Sequence, residues 1–142
     1  MSGAGNESGG CVVGDADIDS RAVISGLLAQ IGMRVLEAET GADALDLALA
    51  QRPDAVMLDV ELAGMSGYQV CHILRVEYGA DLPIFLLARE RNGSHDEAAA
   101  LLIGANAYIE KPFTPSQLLV QLEAHLRNGR DGAPMWRRPI TR

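Results

Sequence analysis

Asp15, Asp59 and Lys111 are the residues of this chain whose types could do chemistry together. Carboxylates can hold Mg²⁺ or act as a nucleophile, and a lysine ammonium can neutralise an incoming phosphoryl group as a point charge. Each stands just beyond a short apolar run: Asp15 after Cys11-Val12-Val13, Asp59 after Ala55-Val56-Met57-Leu58, and Lys111 after Ala107-Tyr108-Ile109. One charge in such a place is an ordinary solvated strand end. Three together make a candidate site. Ala88 and Arg89 close a fourth run, Ile84-Phe85-Leu86-Leu87, and belong to the same neighbourhood. Other reactive types are dispersed: His72, His95 and His125 lack metal-ligand spacing, and Cys11 and Cys71 show no CxxC pattern. Cys71 and Tyr68 read as core or helix-face residues.

These residues converge only if the elements carrying them lie side by side. Strand-length apolar runs alternate with segments of helical period from Cys11 to Arg127, the pattern of a parallel sheet covered on both faces. The expected strands are Cys11 to Val13, Met33 to Ala38, Ala55 to Leu58, Ile84 to Leu87 and Ala107 to Ile109. Val23, Ile24, Leu27, Leu28 and Ile31 mark one helix face, and Leu118, Leu119, Leu122 and Leu126 another. Capping-box patterns at Ser66, Ser94 and Thr114 predict helices beginning near Gly67, His95 and Pro115. Gly41 to Gln51 supplies the remaining helix, with Thr40 as N-cap and Pro53 beyond its end. The run Ala98 to Ile103, apolar around a whole turn, is expected to be buried, with a partner surface as the alternative. In an open parallel sheet ligands bind outside the carboxyl ends of the strands, which is where the site residues fall.

The chain has 142 residues, room for one domain with short tails. Its composition, 48% hydrophobic and 22% charged, is that of a folded soluble protein, and no apolar run is long enough to span a membrane. A net charge of -7 argues against direct attraction to nucleic acid or anionic lipid. Sparse cysteine fits a reducing cytoplasm. Residues 1–10 read as a flexible leader, 11–127 as the domain, and 128–142, with Trp136 and several arginines, as a tail or a linker to an output domain.

The sequences Pro53-Asp54-Ala55-Val56-Met57-Leu58-Asp59, Gly64-Met65-Ser66-Gly67 and Gly104-Ala105-Asn106-Ala107-Tyr108-Ile109-Glu110-Lys111-Pro112-Phe113 resemble the receiver domain of two-component response regulators. That resemblance implies a three-layer, doubly wound α/β fold of the flavodoxin or CheY-like kind, with five parallel strands in the order 2-1-3-4-5. It implies a signalling domain rather than an enzyme. Asp59 would be the phosphoacceptor, Lys111 the phosphate-contacting lysine and Tyr108 the aromatic that moves on activation, with a cis Lys111-Pro112 bond. Mg²⁺ would be held weakly by Asp15, Asp59 and the backbone carbonyl of Glu61. The implied partners are a sensor histidine kinase or phosphotransfer protein and a downstream protein or output domain, with room for a homodimer.

Three positions depart from the family pattern. Counting back from Arg21 places its two metal-binding acids on Asp15 and Ala16, whereas one inserted residue places them on Gly14 and Asp15. Ala88 stands where a phosphate-binding Ser or Thr is usual, with Arg89 next and neither carrying a hydroxyl, and Ala63 stands where Pro is usual. Two readings follow, a phosphorylation-controlled receiver and a receiver-like interaction module that works without phosphorylation. A haloacid-dehalogenase-type phosphotransferase, suggested by Asp59-Val60-Glu61, wants its DxD on the first strand and is set aside.

Overall fold

The computed structural model describes residues 10–89 and 94–126. Strand β1 (Cys11–Gly14) leads into helix α1 (Ile18–Gln30), β2 (Val35–Ala38), α2 (Gly41–Gln51), β3 (Ala55–Asp59) and α3 (Gly67–Tyr78). A short 3-10 turn (Gly79–Asp81) precedes β4 (Ile84–Arg89), α4 (Ser94–Leu102), β5 (Ala107–Lys111) and α5 (Pro115–Leu126). The five strands form one parallel sheet in the order β2-β1-β3-β4-β5. This is the expected doubly wound topology. The sequence pattern gave no sign of the 3-10 turn.

Alternation along each strand divides the core into two layers. Val12, Val56, Leu58, Leu86 and Ala88 pack on one face with Ala44 and Ala48 of α2, Val70 and Leu74 of α3 and Ala100 of α4. Val13, Met57, Leu87 and Ile109 pack on the other with Ile24 and Leu28 of α1 and Leu118, Leu122 and Leu126 of α5. β1 and β3 are buried throughout and β4 up to its last residue, Arg89, as central parallel strands require.

The helix ends follow local chemistry. Ser66 and Gln69 exchange both bonds of a capping box, and Thr114 and Gln117 do the same ahead of Pro115. Thr40 caps α2, and Asp17 caps α1, which starts at Ile18, five residues before Val23. Val23 is exposed, against the expectation that it faces the sheet. The expected burial of Ala98 to Ile103 is also overturned: Ala100 is buried, but Leu101 is 50% and Leu102 88% exposed. Only one side of this helix has a sheet to meet, so an apolar run all round it leaves its far side in water. The leader and the tail, Trp136 included, lie outside the described residues.

Candidate functional site

β1 and β3 pair Gly14 with Leu58, which brings the next residues, Asp15 and Asp59, beside one another at the carboxyl edge. Lys111 ends β5 and reaches back between them. Its Nζ donates to Asp15 Oδ2 at 2.6 Å and to Asp59 Oδ2 at 2.5 Å. Both carboxylates are buried, at 2% and 7% exposure, so this is an ion triad largely removed from water. Burial opposes the Lys111 ammonium, but the hydrogen bonds it donates to Asp15 and Asp59, together with their charges, outweigh that cost. Its pKa lies above the ordinary 10.5, and the group stays cationic at neutral pH.

Both carboxylates accept further hydrogen bonds. Asp59 Oδ1 accepts the backbone N–H of Glu61 at 2.7 Å, so the β3–α3 loop turns back onto the strand end. That loop is tight: a Cβ on Gly67 would stand 2.5 Å from the Asp59 carbonyl oxygen, which only glycine permits. Asp15 Oδ1 accepts from the Asp17 N–H at 3.0 Å, and Oδ2 accepts from Ser20 Oγ at 2.8 Å as well as from Lys111. Arg21 is buried, donates to the Asp15 backbone carbonyl at 2.7 Å and pairs with Glu37 at 2.9 Å. Sequence reasoning missed Ser20 and Arg21 as supports of Asp15. Their positions in the first turns of α1, five and six residues after the acid, were the available signal.

Ala16 is exposed, and Asp15 is the residue that meets Lys111 and Asp59. Both alignments keep Asp15 as the acid that makes this contact. Asp17 spends Oδ1 on capping Asp19 N–H. Ala88 is fully buried and has no hydroxyl; Tyr108 is half-buried and packs on the layer that contains Ala88. The Lys111-Pro112 peptide is cis. Glu61 is exposed. His72 is exposed, and His125 meets Phe85 edge to face with ring centroids 5.7 Å apart. Burial pushes the Cys11 thiol up to about 12 and raises that of Cys71, so neither is a ready nucleophile.

Two carboxylate oxygens converging on one cation are hard donors suited to Mg²⁺. Among the described residues no cluster of three or more His, Cys, Asp or Glu side chains surrounds a possible metal position. A divalent ion here would have two carboxylates and must complete its octahedron with backbone carbonyl and water, a set that fits an ion which keeps several waters.

Residues 11–123 match the family described as the response regulator receiver domain. The transcriptional regulatory protein YvrH of Bacillus subtilis is 37% identical over 106 residues, covering 74% of this chain and 44% of that protein. The response regulator MprA of Mycolicibacterium vanbaalenii is 41% identical over 112 residues, covering 77% and 48%. The chain thus spans about half the length of these curated relatives. Among solved structures, the Vibrio cholerae chemotaxis protein CheY4 superposes with a TM-score of 0.75 at 27% identity, over 82% of this chain and 97% of that one. The receiver domain of the Pseudomonas aeruginosa sensor histidine kinase PA1611, described with a magnesium ion coordinated in its active site cleft, gives 0.73 at 28%, over 83% and 98%. No helix among the described residues is long and apolar enough to cross a membrane. Since the match runs from β1 into α5 and solved receivers superpose along nearly their whole length, the chain belongs to the response regulator receiver domains of two-component signalling.

Proposed function

We propose that residues 11–127 form a phosphorylation-controlled receiver whose phosphoacceptor is Asp59. The observation that carries this reading is the Lys111 ammonium held between the Asp59 and Asp15 carboxylates. An Asp59 oxygen attacks the phosphorus of a phosphohistidine on a sensor kinase or phosphotransfer protein. The new O–P bond forms as the P–N bond breaks, and the electron pair leaves with the imidazole nitrogen, which takes up a proton. Phosphoryl transfer of this kind relies on positioning and charge compensation. Lys111 supplies one fixed positive charge, the Glu61 N–H orients Asp59, and Ser20 and Arg21 hold Asp15 in place. Asp15, Asp59 and the Glu61 carbonyl would hold Mg²⁺, which offsets charge on the transferring oxygens.

The relatives' names and their greater length support a downstream reader of the signal, as a partner protein or an output domain outside residues 11–127. The interaction-module reading is favoured by one feature, the absence of a hydroxyl at the fully buried Ala88. Intact mass after incubation with acetyl phosphate and Mg²⁺ separates the two. Labelling by one phosphoryl group, lost in Asp59→Asn, is the expected result. An unlabelled wild type under conditions that preserve acyl phosphates supports the module.

A further inference from the structure

We infer that Arg89 is a second phosphoryl-binding cation, acting beside Lys111 in place of the hydroxyl missing at Ala88. The inference rests on the receiver reading above and assigns a further residue to the same site.

The argument begins with the pleat. Val13, Met57, Leu87 and Ile109 form a row in the core layer under α1 and α5. Side chains two residues apart share a face, so the row continues beyond the core as Asp15, Asp59, Arg89 and Lys111. Register sets these four on two levels. Asp59 pairs with Leu87, whereas Arg89 pairs with Lys111 one pleat repeat further on, about 6.6 Å along the strands. A pair of cations therefore stands beyond a pair of carboxylates, on the side from which a phosphoryl donor must approach. Ala88 belongs to the opposite face and packs with Val70 and Leu74, so losing its hydroxyl does not move Arg89.

The space in front of this pair is open. Arg89, Lys111, Asp17, Asp19, Ser20 and Phe113 are among the residues lining a cavity of about 590 Å³. Arg89 is exposed, and no carboxylate among the described residues forms a salt bridge with it. Lys111 is already committed to Asp15 and Asp59. An incoming phosphoryl group, doubly charged, thus meets one engaged ammonium and one available guanidinium, whose fork matches two phosphoryl oxygens. A hydroxyl offers a single neutral donor; the guanidinium offers charge and two. The donor class it takes is a small acyl phosphate or a phosphohistidine side chain.

The test measures initial rates of Asp59 labelling against acetyl phosphate concentration, at fixed saturating Mg²⁺, by intact mass. Wild type, Arg89→Ala and Arg89→Lys are compared. Arg89→Ala should need about fivefold to tenfold more acetyl phosphate for half-maximal rate, with a smaller change in the limiting rate. Arg89→Lys should fall between, and the difference should shrink as salt rises. Because Arg89 is exposed, the variants should fold, and circular dichroism checks this. Equal half-saturation in wild type and Arg89→Ala overturns the inference alone. Faster labelling of Arg89→Ala also overturns it, by showing that the side chain obstructs entry. A wild type that takes no label in any condition overturns the receiver reading and this inference with it.

Discussion

The two faces of the sheet differ sharply at its carboxyl edge. On the α1 and α5 side, the core row ends in Asp15, Asp59, Arg89 and Lys111, all ionisable. On the α2, α3 and α4 side, the neighbouring positions are Gly14 and Ala88, both small and both fully sheltered. Gly14 and Ala88 therefore lie on the same side, and neither brings a polar side chain to the strand ends. The charged face carries the groups proposed to attack and compensate charge, while the apolar face carries the positions that would couple a bound phosphoryl group to the rest of the domain. One face ends in ionisable groups and the other in plain core.

The largest effect should come from breaking the charged face at its centre. Lys111→Met leaves two buried carboxylates without their cation, a change that typically costs about 3 to 5 kcal/mol. Urea denaturation at neutral pH should show a loss of that size, and Mg²⁺ should restore more stability to this variant than to the wild type. If the variant is as stable as the wild type without metal, the triad contributes nothing to the fold. The same group sets an alkaline limit. Its folded pKa is raised, so its stabilisation is complete below the ordinary 10.5 and is lost as pH climbs through the higher folded value. Stability of the wild type should fall above that point more steeply than that of Lys111→Met.

The apolar face should resist repair. A Cβ at Gly14 would stand 3.1 Å from a Leu58 methyl, 3.2 Å from Ala44 Cβ and 3.4 Å from a Leu62 methyl. Gly14→Asp must push a carboxylate past these contacts, at about 1 to 3 kcal/mol of overpacking cost. Calorimetry should find a destabilised protein whose Mg²⁺ affinity improves only if the chain end shifts. Ala16→Asp, at an exposed site, should leave both stability and Mg²⁺ affinity near wild type. Tighter Mg²⁺ binding in Ala16→Asp would show that the acid missing from the site belongs at Ala16.

The nearness of Asp15 to Asp59 was not available from sequence. Both alignments keep Asp15, and the pairing of Gly14 with Leu58 sets it beside Asp59. Long-range register makes that contact. The bounds of α2 were legible because Thr40 and Pro53 signal locally, whereas α1 began earlier than its apolar stripe because Ile18 is 65% exposed. The strand-end triad was legible because each member closes an apolar run. Ser20 and Arg21 were not, since their roles depend on how α1 docks over β1. Burial of Ala98 to Ile103 was misjudged because an apolar run reports preference for burial without supplying the surface that would cover it.

The smallest expected effect concerns the switch. Tyr108 lies on the apolar face, one pairing step from Ala88: Leu86 pairs with Tyr108 and Ala88 with Glu110. A bound phosphoryl group can move Tyr108 only through contacts that differ between two arrangements of the domain. A hydroxyl at position 88 would be one such contact, worth about 1.5 to 3 kcal/mol when it bonds a charged group. Arg89, on the opposite face, compensates charge without making that link. Phosphorylation of the wild type should therefore shift the Tyr108 NMR resonances only slightly, even where labelling of Asp59 is complete. Ala88→Thr adds two heavy atoms to a fully buried site and should cost about 1 kcal/mol of stability, yet enlarge the Tyr108 shift. A full shift in the wild type that Ala88→Thr leaves unchanged would mean that coupling runs through the charged face, and that the contrast between the two faces has no bearing on the switch.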